Sequence, residues 1–134
     1  MYIGTSASTS PTFAAVAGAK IEGGAGKAVK FDSSGNIILC STAGEAALGI
    51  LLLQSADTIN QGDSVTVQIH GRGKAIAGGT IAAGDMLTVT ASGTLTKAAA
   101  GNSVVGQALS AATADGFVDF IICRGGQLNA AAAG

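Results

Sequence analysis

The stretch Gly18-Ala-Lys-Ile-Glu-Gly-Gly-Ala-Gly-Lys-Ala-Val-Lys-Phe-Asp-Ser-Ser-Gly35, followed at 46–52 by Ala-Ala-Leu-Gly-Ile-Leu-Leu, decides the reading of this chain, because it is written twice. The second writing is Gly79-Thr-Ile-Ala-Ala-Gly-Asp-Met-Leu-Thr-Val-Thr-Ala-Ser-Gly93, followed at 103–109 by Ser-Val-Val-Gly-Gln-Ala-Leu. Phe31 falls on Val89, Gly35 on Gly93 and Gly49 on Gly106. A strand–turn–strand unit that recurs within one small chain predicts a duplicated β fold. What recurs is turn glycines and apolar strand positions, not acids, bases or nucleophiles. A scaffold was duplicated.

Working outward, strand follows strand. Val29 and Phe31 alternate with Lys30 and Asp32, and Asp32-Ser33-Ser34-Gly35-Asn36 reads as a hairpin turn before Ile37–Cys40. The apolar run Leu48–Leu53 suits a strand buried on both faces. Ser64 to His70 has strict period two, with Val65, Val67 and Ile69 facing a core and Ser64, Thr66, Gln68 and His70 facing out. Leu87 and Val89 repeat the inward pattern, and Val104–Leu109 and Phe117–Cys123 supply the last strands. Ala43–Ala47 and Ala98–Ala112 are helix-prone by propensity, but their place in the repeat favours loop followed by strand. About nine short strands with Gly-rich turns predict an all-β fold, a small Gly/Ala-rich barrel or sandwich with the two halves around a common core.

The expected organisation is an extended arm over 1–17, a single β domain over 18–126 with pseudo-repeats at about 18–77 and 78–126, and a flexible Ala-rich tail over 127–134. The arm is Ser/Thr/Ala-rich, uncharged and holds the one proline, Pro11. It also carries Tyr2, Ile3, Phe13 and Val16, apolar anchors that a purely solvated tail does not need. These four are the candidate partner-binding residues, for a neighbouring subunit or a surface on which the arm can order, the alternative being a disordered leader.

Composition narrows the function. The 134 residues hold seven Lys and Arg and eight Asp and Glu, a net charge of −1; charged residues are 11%, and mean hydropathy is +0.49. Ordinary soluble domains carry roughly 25% charged residues, so part of this surface is expected to be covered by identical copies or by a larger assembly. Nucleic-acid binding has no basic patch to rest on. No apolar run reaches the ~18–20 residues of a membrane span, and the N-terminus lacks a secretory pattern. Cys40 and Cys123 form no C-x-x-C motif, and two buried, unpaired thiols of a cytosol-made protein are expected, a disulfide joining the two halves being the alternative.

No site chemistry is visible in the sequence. His70, the single histidine, stands seven residues from Asp63, an odd spacing that puts the two on opposite faces of a strand. No G-x-S-x-G elbow and no paired metal-ligand spacing occur. Gly71-Arg72-Gly73-Lys74 lacks the first glycine and the final Ser/Thr of a phosphate loop, and reads as a hairpin turn. Ile81-Ala82-Ala83-Gly84-Asp85 resembles a turn of biotin- and lipoyl-carrier modules, but neither Lys74 nor Lys97 has the Met or Asp neighbours of a carrier lysine. The expectation is no catalytic residue, no metal, no cofactor and no small-molecule substrate.

Val29–Leu39, then Ala47–Leu51, then Gly73–Asp85, then Val105–Leu109 together resemble, in order and spacing, the capsid decoration or cement proteins of tailed bacteriophages. The resemblance implies a structural protein of the virion, made in the host bacterial cytoplasm, that binds the outside of an assembled head. There it would stabilise the capsid lattice with the major capsid protein as partner. It also implies a homo-oligomer, a trimer above all, and no catalytic residues. A phage tail or fibre protein and, further off, a carrier-type β module are the alternatives.

Overall fold

The structure, a computed structural model, describes residues 11–52 and 56–127, with side chains described as far as Cys123. Among these residues there are twelve strands and no helix. In chain order they are β1 (Thr12–Val16), β2 (Ile21–Glu22), β3 (Ala28–Phe31), β4 (Ile37–Leu39), β5 (Gly49–Leu51), β6 (Thr58–Ile59), β7 (Ser64–Gln68), β8 (Arg72–Ile76), β9 (Met86–Val89), β10 (Leu95–Lys97), β11 (Ser103–Ala108) and β12 (Phe117–Gln127). They form two five-stranded sheets, ordered β1-β7-β5-β3-β4 and β8-β12-β11-β9-β10, and a two-stranded sheet, β2-β6.

The two large sheets are the same sheet written twice. β1, β7, β5, β3 and β4 correspond to β8, β12, β11, β9 and β10, and the registers agree. Ala28 faces Ile50, which faces Gln68, as Met86 faces Gln107, which faces Ile121. The Asp32 N–H donates to the Asn36 carbonyl and the Thr90 N–H to the Thr94 carbonyl, each at 2.8 Å, closing the β3–β4 and β9–β10 turns. Gly35 and Gly93 occupy the same left-handed position in those turns, at φ of 82° and 86°, where a side chain would be strained. Each sheet curls until its two edges touch at one parallel bridge, Ala17 to Ile37 and Ala77 to Leu95. Neither closes into a barrel.

The hydrophobic interior follows the duplication. Ala17, Ile21, Val29, Ile37, Leu51, Ile59, Val65 and Val67 fill the first curl. The second holds their counterparts Ala77, Ile81, Leu87, Leu95, Ala108, Val118 and Phe120. Phe120 is fully buried where the first curl has Val67. The second cluster also takes in Ala28, Cys40, Ala47 and Ile50, which come from the first repeat. The expected common core is therefore two cores in series, because each five-stranded sheet bends far enough to enclose its own.

Several local expectations change. Residues 12–16 of the arm are a strand, β1, seated on β7 from Thr12 opposite Gln68 to Val16 opposite Ser64. Gly71 turns the chain from β7 in one sheet to β8 in the other, so Gly71–Lys74 is a crossing between sheets and not a hairpin. The helix-prone segments are loop and strand, since burial of alternate residues outweighs propensity. Cys40 is buried as expected, but Cys123 is exposed, on the outward parity of β12; both are unpaired. Ile69 is half-buried against the first core, beyond the end of β7, whereas Val65, Val67, Leu87 and Val89 are buried.

Candidate interaction surfaces

The residues with chemical potential are occupied with structure. Asp63 caps its own turn, accepting the Asn60 N–H through Oδ2 at 2.9 Å, and Asp85 does the same for the Ala82 N–H. The carrier-like turn at 81–85 is thus one of a pair of structural turns. Lys74 pairs with Asp119 at 3.0 Å across β8 and β12. His70 is exposed beyond the end of β7. Among the described residues no three of His, Cys, Asp and Glu come together as a metal site would require.

One polar cluster is partly buried. Lys30 Nζ donates to Glu45 Oε1 at 2.8 Å, and the Ser41 and Thr42 N–H groups donate to Oε2 at 2.8 and 2.7 Å. Burial pushes the Glu45 carboxyl up, but the hydrogen bonds from Lys30, Thr42 and Ser41 outweigh it and hold the group below its usual value. Cys40 lies nearby. Burial first, and the Glu45 charge second, push its thiol up to about 12 against the opposing Lys30. It therefore stays protonated and unreactive. This cluster pins the 41–45 turn; Asn102 pins the matching turn of the second repeat through Ala99.

What remains is surface that water should not face. Phe13 is 38% exposed and Phe31 45%, and their rings meet edge to face with centroids 6.0 Å apart. Phe13 lies opposite Val67 and Phe31 opposite Ile37, so both point toward the first core and cover its end. Val16 is 42% exposed. It lies three residues from Phe13 and so points to the other face of β1. The sequence-predicted pair Phe13 and Val16 is thus not brought together, and Tyr2 and Ile3 lie outside the described residues.

A second patch covers the outer face of the second sheet. Phe117 and Ile121 project from β12 at 58% and 41% exposure, and Leu109, just past β11, is 46% exposed. The Lys74–Asp119 pair lies between the first two, since 117, 119 and 121 share one face. In the sequence these are ordinary strand residues. The parity of Val118 and Phe120, both buried, was the signal that their odd-numbered neighbours face out. A groove of about 440 Å³ lies beside Leu52, Ile59, Asp63 and Val65.

The sequence profile of a family described as phage cement protein matches residues 54–124. No curated protein matches. A solved structure entitled the head fiber gp8.5 N base of bacteriophage phi29 is 22% identical, with a TM-score of 0.64, over 88% of this chain and 97% of that one. At that identity the likeness is one of fold. The chain belongs to the phage cement protein family and is a structural protein of the phage virion with a capsid-stabilising role.

Proposed function

We propose that this chain acts without catalysis, by binding the outside of an assembled head as a homo-oligomer, with a trimer favoured and the major capsid protein as its partner. The family assignment carries the reading, and the outer face of the second sheet supplies a surface for it. Phe117, Ile121 and Leu109 form an apolar centre with the Lys74–Asp119 pair inside it, on a chain of 11% charged residues. Aromatic and aliphatic anchors with a few polar groups are what the centre of a protein interface requires. The arm, through Tyr2, Ile3, Phe13 and Val16, adds contacts to the shell or to a neighbouring subunit.

Undecorated heads mixed with purified protein and pelleted provide the test. Phe117→Asp should keep the wild-type melting temperature within about 2 °C, because an exposed side chain contributes little to the fold, and should abolish co-sedimentation. Removal of residues 1–10, which spares β1, should weaken it. His70→Ala should change neither fold nor decoration. Heads that take up the Phe117→Asp protein as fully as wild type would refute the assignment of this face. A turnover lost with His70 would refute the non-enzymatic reading.

A further inference from the structure

The two repeats are joined by a contact whose matching surfaces recur at the two ends of the pair, where no described residue covers them. The end of the second repeat seats on the first. The Ala28 N–H donates to the Gly93 carbonyl at 2.7 Å, the Gly44 N–H to the Val89 carbonyl at 3.0 Å, and the Ile76 N–H to the Gly26 carbonyl at 2.9 Å. Ala28, Cys40, Ala47 and Ile50 add apolar burial to the same junction. The contact is directional: a turn end on one side, the start of a sheet on the other.

Each side has a counterpart. Gly93 and Val89 are buried at the junction, while their counterparts Gly35 and Phe31 in the first repeat are exposed. A methyl at Gly93 would lie 3.4 Å from the Ala28 carbonyl oxygen; at Gly35 it would meet nothing within 4 Å. On the other side, Gly26, Ala28 and Ile50 are buried. Their counterparts are Gly84, which is exposed, and Met86 and Gln107, which are half-buried. So, among the described residues, one chain presents the counterparts of both sides of the contact more exposed than at the junction and at opposite ends, with the Gly84 carbonyl accepting the Gln107 side-chain Nε2–H at 3.1 Å within the chain. The donor end is moreover apolar, with the Phe13 and Phe31 rings at its mouth.

We propose that a second copy of this chain docks there head to tail. Its Gly84, Met86 and Gln107 surface would receive the Phe13, Phe31 and Gly35 end of its neighbour, repeating the contact that joins the two halves of each chain. The proposal rests on the self-association included in the proposed function and specifies its interface. A contact between two different surfaces propagates, into a ring where the rotation closes and an open string where it does not.

The experiment uses two full-length variants, Phe31→Glu at one end and Met86→Glu at the other, with Phe13→Glu and Gln107→Arg as second variants for the respective ends. Thermal melts select the folded member of each pair. Sedimentation velocity from 1 to 100 µM reads the state of each alone and of an equimolar mixture. Wild type should associate. Each variant alone should associate at least tenfold more weakly, because an unpaired charge is buried in the contact. The mixture should yield a dimer and nothing larger, since one intact end of each kind remains.

Variants that associate as wild type does would overturn the interface while leaving self-association standing. A mixture that stays monomeric would also overturn it, since the intact end of one variant would have failed to pair with the intact, unlike end of the other. Wild type that is monomeric throughout would overturn self-association as well. Co-sedimentation of the same variants with heads separates either failure from a failure of capsid binding.

Discussion

Gly49 and Gly106 hold the same place in the two sheets, and replacing either by alanine tests whether the duplication is physical. A Cβ built on Gly49 collides with the carbonyl oxygen of Gln68 and lies 2.9 Å from Val67 Cγ1. One built on Gly106 collides with the carbonyl oxygen of Ile121 and lies 2.9 Å from Phe120 Cδ2. Both obstacles are backbone in a ladder, β7 beside β5 and β12 beside β11, and a ladder carbonyl cannot swing away without losing its hydrogen bond. Overpacking costs about 1–3 kcal/mol, and a backbone obstacle puts these sites at the upper end. The reduced freedom of the unfolded chain returns about 0.4–1 kcal/mol. The net loss is about 2 kcal/mol. For a chain of this length that is a fall in Tm of roughly 6–8 °C, at about 3–4 °C per kcal/mol. Gly35→Ala is the control: its φ is 82° and nothing lies within 4 Å, so only backbone strain of about 1 kcal/mol applies. Calorimetry on the three variants decides. Gly49→Ala and Gly106→Ala melting no lower than Gly35→Ala would refute the close-approach argument at both sites.

The other predictions rest on single groups. Cys123 should react with a maleimide in the native protein while Cys40, buried and with its thiol near 12, should react only on denaturation; mass spectrometry after peptide digestion separates them. Val67→Ala should cost about 1–3 kcal/mol by urea unfolding, for lost methyls and the cavity left in the first core. Glu45 is held below the ordinary carboxylate value. Its stabilisation is thus present above about pH 4.3, where the unfolded chain ionises, and is lost as pH falls through the lower folded value. Between pH 5 and pH 3 wild type should lose more stability than Glu45→Gln, and equal losses would show that the Lys30–Glu45 pair contributes nothing.

The hairpins were legible in the sequence because their determinants are local. Asp32 accepts the Ser34 and Asn36 N–H groups through one oxygen, at 2.8 and 3.0 Å, and Gly35 takes the left-handed residue. All of that chemistry lies within five consecutive positions. The order β1-β7-β5-β3-β4 was not legible, since it depends on which distant strand covers an edge, and no short-range spacing encodes that. β1 shows why. Phe13 and Ala15 face the core side while Ala14 and Val16 face out, but alanine on both faces erases the hydrophobic alternation by which a strand is recognised. The surface patches were half legible. Phe117 and Ile121 stand at outward parity in plain view, whereas Phe31 reads as inward and is inward. It is exposed because in the first repeat nothing described covers the end that the first repeat itself covers in the second.

That asymmetry connects the fold to the role. A protein that stabilises a shell by binding it contributes nothing to the isolated subunits. It acts by favouring the assembled state, by an amount that grows with its occupancy there. Rigid sheets serve this better than loops, because little is left to order on binding and less of the contact energy is lost to entropy. The composition supplies that rigidity in an uncommon way. Alanine and glycine let the strands curl tightly around small cores, as at Gly49 and Gly106, and leave the larger apolar side chains Phe13, Phe31, Leu109, Phe117 and Ile121 at the surface. Those residues destabilise the lone molecule's contact with water and become stabilising when a partner covers them. Several copies linked through one pair of surfaces and attached through another would bind as a unit. Each added attachment is then made at high effective concentration, so modest individual contacts suffice to hold a head together.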